Sequence, residues 1–260
     1  MIQLTAKLSD GLVELVQSGA VQIDGVEANP WFDVEQIRAY RRQLPGWTFY
    51  FHHGDLVSRL KWVPGTADLL REYIECTQTP WLSFHCSLLP PGYVSIGTKL
   101  GWYLLPPNAA RAVRSFVAGV EKLRDLNLPI LLENMPAFPT RKYAFETSAG
   151  NISEILAETG AHLLLDLAHA RVVASVFGWD VHEYLGGLPL EKVRQIHVSG
   201  PRARKGALYD AHEELGEEDY RLLAWALQRS EPEVVTLEYF KGKQKLREQL
   251  VRIREIVAAA

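Results

Sequence analysis

Cysteine is scarce in this sequence, with only Cys76 and Cys86 among 260 residues. Two cysteines are too few for a disulfide framework, and neither belongs to a Cys-x-x-Cys pair that would indicate a zinc ribbon or a thiol-exchange motif. We interpret both as buried thiols. The sequence also lacks a GxGxxG motif, a Walker loop and a GxSxG motif, so nucleotide cofactors and a serine-hydrolase triad have no support.

Long apolar runs and excess positive charge are also missing. No stretch reaches the ~18 uncharged apolar residues that a membrane span needs, and the first residues do not form the basic and then apolar run of a secretory signal. We therefore expect a cytoplasmic protein that does not enter the membrane. The 28 Lys and Arg against 31 Asp and Glu give a formal net charge of −3. Without a global positive charge to hold a phosphate backbone, nucleic acid is not an expected partner.

Short β-rich runs alternate along the chain with segments of helical period. The eight predicted strands are Ile2–Leu8, Val21–Ala28, Trp47–His53, Trp81–Cys86, Pro129–Asn134, His162–Asp166, Val193–Ser199 and Val234–Tyr239. Repeated β then α segments that end at eight are typical of an α/β protein with a (β/α)₈ TIM barrel. With no linker or low-complexity tract in the sequence, we predict a single TIM-barrel domain over residues 1–260.

Helix start signals support this interpretation. They are Asp33 with Gln36 as a capping box, Thr66, Asn108 after two prolines, and Ser153. The longest stretches without a regular pattern are predicted to be irregular loops and follow the fourth and seventh strands, at the face where barrels build their active sites. They are Leu88–Leu105 and Gly200–Glu217.

Ligand-type side chains stand at or just after the ends of six consecutive predicted strands, the third to the eighth. The candidate metal ligands, including those in the segment after the seventh strand, are His53, His85, Glu133, Asp166, His169, His197, Asp210, His212 and Glu238. His52 is the alternative to His53, because neighbours in a strand point to opposite faces and only one is expected to enter the site. His53 is preferred for its position before Gly54.

Each candidate also has a structural interpretation, as a hydrogen-bonded histidine or as a carboxylate that caps a helix. Their convergence favours metal binding, because carboxylates after three apolar residues would carry charge into a low-dielectric barrel mouth. Nine ligands exceed the four of one zinc ion, so we predict two or three metal ions. We expect Glu133 and Glu238 to bridge ions and, with Asp166, to act in catalysis. Imidazole and carboxylate ligands without thiolate suit iron, zinc or manganese.

The order of these ligands resembles that of the endonuclease IV and xylose-isomerase-like barrels, which hold three metal ions. The residue sequences of the motifs are similar to those of the multinuclear non-haem iron family of the methanobactin biosynthesis oxidase type. The similar segments are Leu132–Pro136, Leu164–His169 and Val193–Gly200, completed by Asp210-Ala-His212 and Leu237-Glu238. The resemblance implies a xylose-isomerase-like barrel with two or three metal ions, iron favoured. It also implies dioxygen-dependent modification of a cysteine in a peptide, usually delivered by a partner protein.

The alternative functions are a metal-dependent phosphodiesterase related to endonuclease IV, a sugar isomerase, which rests on fold analogy alone, and a non-catalytic metal-binding barrel. For substrate binding we predict Arg202, Arg204, Asn134 and Trp31, and Trp102 and Tyr103 are further candidates to line a pocket. The basic segment around Arg202 and Arg204 could bind a phosphate or carboxylate, although a solvated loop is the interpretation we favour for it. His162 and His182 are interpreted as structural.

Overall fold

In a computed structural model of the protein, eight parallel strands close into a barrel in the order β1-β10-β7-β6-β5-β4-β3-β2. The structure describes residues 1–54, 57, 66–89, 108–137, 144–204 and 206–260. The barrel strands are β1 (Gln3–Lys7), β2 (Gly25–Ala28), β3 (Thr48–Gly54), β4 (Leu82–His85), β5 (Ile130–Glu133), β6 (His162–Asp166), β7 (Val193–Val198) and β10 (Val234–Leu237). The predicted (β/α)₈ TIM barrel is confirmed, and every observed barrel strand overlaps a predicted one. The largest difference is in β2, which begins at Gly25 and not at Val21.

Helices surround the barrel along the described parts of the chain. They are α1 (Asp10–Gln17), α2 (Val34–Gln43), α3 (Thr66–Thr77), α4 (Ala109–Glu121), α5 (Ala149–Thr159), α6 (Leu167–Phe177), α7 (Val181–Gly186), α8 (Glu217–Leu227) and α9 (Lys243–Ala258). None of these helices is long and apolar enough to cross a membrane.

Three of the four predicted helix starts are confirmed. Asp33 and Gln36 form a capping box, Asn108 caps α4, and α3 begins at Thr66. The prediction at Ser153 is wrong, because α5 begins after Ser148. The first residues of that helix, Ala-Gly-Asn, include two of low helix propensity, and this conceals the true start in the sequence.

Alternation along the strands separates two cores. Outward-facing side chains such as Phe49, Phe51 and Leu132 pack with the helices in the large core. A small second core fills the barrel and consists of Tyr50, Trp81, Leu131, Leu164 and Val234. Residues two positions further along the same strands face the same way. The inner core therefore forms a floor beneath the polar side chains at the carboxyl ends of the strands.

The segment Gly200–Glu217 was predicted to be irregular, and this is wrong for most of its length. Residues Gly200–Arg204 (β8) and Ala207–Glu213 (β9) form an antiparallel hairpin outside the barrel. The hairpin is held against α6 by the Leu208 amide, which donates to Ser175 Oγ at 3.0 Å. Of the other stretch predicted to be irregular, Leu88–Leu105, residues 90–105 lie outside the described part of the chain.

Candidate metal centre

Nine ligand-type side chains meet at the carboxyl end of the barrel. They form three groups in which the candidate ligand atoms lie within 4.8 Å of one another: His52, His85 and Glu133; His169, Asp210 and His212; and Glu133, Asp166, His197 and Glu238. A cavity of about 470 Å³ opens onto this centre. Eight of the nine residues singled out from the sequence are in these groups.

The ninth choice, His53, is corrected to His52. His52 is two residues after Tyr50 in β3, so both side chains point into the barrel. Its Nε2 lies 3.4 Å from Glu133 Oε2. His53 borders the same cavity, but its ring packs against Phe51 and Phe84 at centroid distances of 6.0 and 6.3 Å. The inward position of Tyr50 is the signal that distinguishes the two histidines.

Glu133 lies at the middle of the centre and is 1% exposed. Its Oε2 is 3.3 Å from His85 Nε2, and its Oε1 is 3.3 Å from His197 Nδ1. The two carboxylate oxygens therefore face two different ligand groups. Glu238 is placed similarly, with Oε2 at 3.6 Å from His197 Nδ1 and 3.7 Å from His212 Nε2. Each carboxylate thus lies near histidines of two ligand groups, and bridging between ions stays a prediction.

Three imidazoles are oriented by a partner on the side of the ring away from their ligand group. His52 Nδ1 lies 3.0 Å from Ser83 Oγ, and His169 Nδ1 lies 2.8 Å from the backbone oxygen of Asn134. His197 Nε2 lies 2.9 Å from Glu27 Oε2. The second nitrogen of each ring faces carboxylates of the centre. Metal-bound histidines in proteins are held in this way.

Asp166 caps a helix with one carboxylate oxygen and turns the other to the centre. Its Oδ1 accepts the backbone N–H of His169 at 2.6 Å and so caps α6. Its Oδ2 is buried and turned to the centre with no hydrogen-bond partner. One oxygen begins the helix, and the other is available to an ion.

The donor set fits metal ions. Among the described residues, buried ligand atoms without a hydrogen-bond partner include Glu133 Oε2, Asp166 Oδ2, His197 Nδ1 and Asp210 Oδ1. A buried polar atom left unsatisfied costs about 1–3 kcal/mol, more when charged. Divalent cations between these atoms would satisfy them all, and imidazoles with carboxylates are suitable ligands for such ions.

Burial and neighbouring charges set the protonation states of the centre. Burial lowers the pKa of His52 to about 4, so this imidazole is neutral at pH 7. Burial alone would raise the pKa of Glu133, but the imidazoles of His52 and His169 hold it well below its usual value. Burial, together with the Glu133 carboxylate, raises the pKa of Asp166 to about 7. Burial alone would lower the pKa of His169 and His197, but the carboxylates of Asp166 and Glu27 raise it well above its usual value. Metal binding requires neutral imidazole and ionised carboxylate, so binding of ions has to release protons from these rings.

The predicted substrate-binding residues have different outcomes. Trp31 is 68% exposed and lines the cavity. Asn134 is fully buried, and its amide exchanges hydrogen bonds of 2.8 and 2.9 Å with the backbone of Asp166. It joins the ends of β5 and β6 and has no access to substrate, which corrects the prediction.

The two arginines also differ from the prediction. Arg202 donates to the backbone oxygens of Pro201 and Glu214 at 3.1 and 3.2 Å. Arg204 is exposed on the hairpin, and neither side chain is among the described residues that line the cavity. The guanidinium of Arg202 is thus bound to backbone oxygens of the hairpin and of the residue after it. Trp102 and Tyr103 lie outside the described residues.

The two remaining histidines have the structural positions predicted for them. His162 begins β6 at the end of the barrel opposite the centre. His182 is exposed on α7, beside the ring of Trp225 at a centroid distance of 4.9 Å.

Two residues of the site were missed in the sequence. Lys7 ends β1, is 6% exposed, and its Nζ lies 3.7 Å from Glu238 Oε1 and 4.2 Å from the centre of the Trp31 ring. Glu27 lies in β2 and contacts His197. Both are charged residues within predicted apolar strands. A charged residue in an apolar strand is the signal that identified Glu133, and the same signal is present in the first two strands.

Residues 60–259 match the family model of the RiPP precursor modification enzyme MbnB/TglH/ChrH. A UPF0276 protein of Caulobacter vibrioides is 36% identical over 115 residues, 43% of this chain and 40% of the relative. A UPF0276 protein of Chromobacterium violaceum is 32% identical over 143 residues, 52% of this chain and 50% of the relative. The chain thus spans half or less of the length of these relatives.

Solved structures share the fold over nearly the whole chain. A xylose isomerase domain containing protein from Salmonella typhimurium has a TM-score of 0.64 and 15% identity, and covers 99% of this chain and 96% of its own. A D-tagatose 3-epimerase-like protein has a TM-score of 0.61 and 16% identity, over 99% and 98% of the two chains. At these identities the similarity shows the xylose-isomerase-like barrel fold alone.

Proposed function

Because the chain belongs to the family of RiPP precursor modification enzymes MbnB/TglH/ChrH, we propose that it is a multinuclear metal-dependent oxidase that modifies a cysteine residue of a peptide. The observation that carries this proposal is the convergence of nine buried or half-buried imidazole and carboxylate side chains in three groups. A structural metal site is normally closed by four ligands around one ion. Three neighbouring groups, two of which share Glu133, open onto a cavity and favour an active site.

The three groups would hold two or three ions, and we favour iron over zinc or manganese. When bound there, iron would supply one-electron chemistry with dioxygen, which zinc cannot. The chain itself supplies the charge balance. Burial opposes ionisation of Glu238, but His197 and Lys7 lower its pKa to about 2, so its carboxylate stays charged beside the ions.

The cavity favours a small part of a peptide as the substrate. Its volume of about 470 Å³ admits a side chain with its adjoining backbone but excludes a folded protein. Trp31 and Tyr209 line it and remain partly exposed, so they can contact a peptide that enters from solvent. We propose that a partner protein delivers the peptide to this mouth.

Oxygen consumption tests the proposal. Protein loaded anaerobically with iron and mixed with a cysteine-containing peptide should consume dioxygen faster than zinc-loaded protein, and the same peptide with serine in place of cysteine should not stimulate consumption. The His182→Ala variant should behave as wild type, because His182 is exposed on α7, away from the centre.

The competing hydrolase has its own signature. Zinc- or manganese-loaded protein that cleaves a phosphodiester or an abasic-site oligonucleotide, with cleavage abolished in Glu238→Gln, would replace the oxidase proposal. A hydrolase needs only the Lewis acidity of the ion and would work without iron.

A further inference from the structure

Glu27 is a buried carboxylate that belongs to none of the three ligand groups. It lies in β2 and is 2% exposed. Its Oε2 is 2.9 Å from His197 Nε2, the ring nitrogen that faces away from Glu133. Among the described residues, Glu27 contacts the centre through the imidazole of His197.

A chain of buried hydrogen bonds fixes the position of Glu27. Trp81 Nε1 donates to Gln195 Oε1 at 2.9 Å, which turns the amide nitrogen of Gln195 to the opposite side. That nitrogen donates to Glu27 Oε2 at 2.6 Å and to Thr236 Oγ1 at 2.8 Å. Trp81, Gln195 and Thr236 are at most 2% exposed. The carboxylate is thus held by groups that are themselves immobile in the barrel interior.

This contact decides which nitrogen of His197 carries hydrogen. An ionised carboxylate only accepts hydrogen bonds, so Nε2 must donate to Glu27. In the neutral ring, Nδ1 then presents a lone pair toward Glu133 Oε1 at 3.3 Å and Glu238 Oε2 at 3.6 Å. A lone pair and two carboxylate oxygens repel one another unless a cation lies among them.

We propose that Glu27 is a positioning residue for the ion held by Glu133, Asp166, His197 and Glu238. It holds His197 in the Nε2–H tautomer and fixes the orientation of the ring. Its negative charge also makes the lone pair of Nδ1 more basic, so that Nδ1 binds the ion more strongly. The inference rests on the metal centre of the proposed function, and it assigns Glu27 a role outside the ligand set. Its charge would also favour the higher oxidation state of a redox-active ion at this position.

Zinc binding by the whole protein tests the role of Glu27 without any enzyme assay. Glu27→Gln keeps the shape but removes the charge, and one of the bound ions should bind zinc about 10- to 100-fold more weakly in competition with a chelator. Ser230→Ala is the matched control, since Ser230 is also buried and its hydroxyl donates to the backbone oxygen of Ala226 at 2.8 Å, away from the hydrogen-bond chain around Glu27. It should retain wild-type affinity.

Nitrogen NMR of the histidine rings supplies a readout that a merely structural role would not move. In zinc-loaded wild type, the Nε2–H of His197 should be protected from solvent and shifted downfield by its charged acceptor. In Glu27→Gln the resonance should move upfield and exchange faster, whereas in Ser230→Ala it should stay in place.

The outcomes are distinguishable. A folded Glu27→Gln protein with wild-type zinc affinity and an unmoved His197 resonance overturns the role of Glu27. If Glu27→Gln does not fold, the ring-nitrogen spectrum of the zinc-loaded wild type decides instead, and a His197 ring without hydrogen on Nε2 overturns the role of Glu27. A wild-type protein that binds no zinc, iron or manganese would contradict the proposed function instead.

Discussion

Glu133 is shared by two ligand groups, because its two oxygens face different imidazoles. Glu133→Ala should therefore lower the metal content at more than one position, whereas loss of an ordinary ligand affects one. Elemental analysis after reconstitution measures this, with His182→Ala as the exposed control that keeps full content. Full occupancy in Glu133→Ala would contradict the bridging role.

Single residues in the sequence predicted most of this centre, and the exceptions have physical reasons. Strand-end position identifies Glu133 and Asp166, because carboxylates after apolar runs must enter the barrel mouth. The same signal applies to Glu27, but the sequence does not reveal its contact with His197, because the two residues are 170 positions apart in the chain. For Asn134 the residue type suggested substrate binding, but the bonds that occupy its amide are visible only in the fold.

The hairpin of β8 and β9 carries Asp210 and His212, so the position of the hairpin on the barrel determines the geometry of one ligand group. A methyl group at Gly200 would collide with the backbone carbonyl of Glu214, whose carbon would lie 2.7 Å away. Gly200→Ala should displace the hairpin, lower stability by about 1–3 kcal/mol, and empty the position that Asp210 and His212 share. Urea unfolding and metal analysis measure the two effects.

Gly186→Ala is the matched control for this change. Gly186 is exposed in α7, and a methyl group there meets nothing within 4 Å. Stability should stay the same or rise slightly, since alanine favours helix. If Gly200→Ala and Gly186→Ala lowered stability equally, the loss could not be assigned to displacement of the hairpin.

At the level of elements, the sequence predicted the barrel strands but not the hairpin. Barrel strands are buried on both faces and appear as apolar runs such as Leu163–Leu165. The hairpin strands mix exposed and half-buried residues, so their composition is that of a loop. Only packing against α6 and their mutual pairing make them regular.

For the whole molecule, the unsatisfied carboxylates make the metal-free barrel less stable than the loaded one. A ligand at 100 times its dissociation constant stabilises the folded state by about 2.7 kcal/mol. For a chain of this size that corresponds to a rise in Tm of about 5–10 °C. Thermal unfolding with and without zinc measures the shift, and a chelator should reverse it.

Glu133→Ala supplies the control for this measurement. This variant should show a smaller rise in Tm on addition of zinc, because it lacks a ligand that two of the groups share. An identical rise in the variant and in wild type would mean that the stabilising ions bind elsewhere.

The pairing of β1 with β10 places the last barrel strand beside the first. On the ribosome, therefore, a growing chain that has made β1 through β7 still has an open seam where Val234–Leu237 will enter. Glu238 follows that strand, and it belongs to the same ligand group as Glu133. The order of synthesis thus delays this group until the seam closes, so a truncated chain cannot assemble all three metal positions.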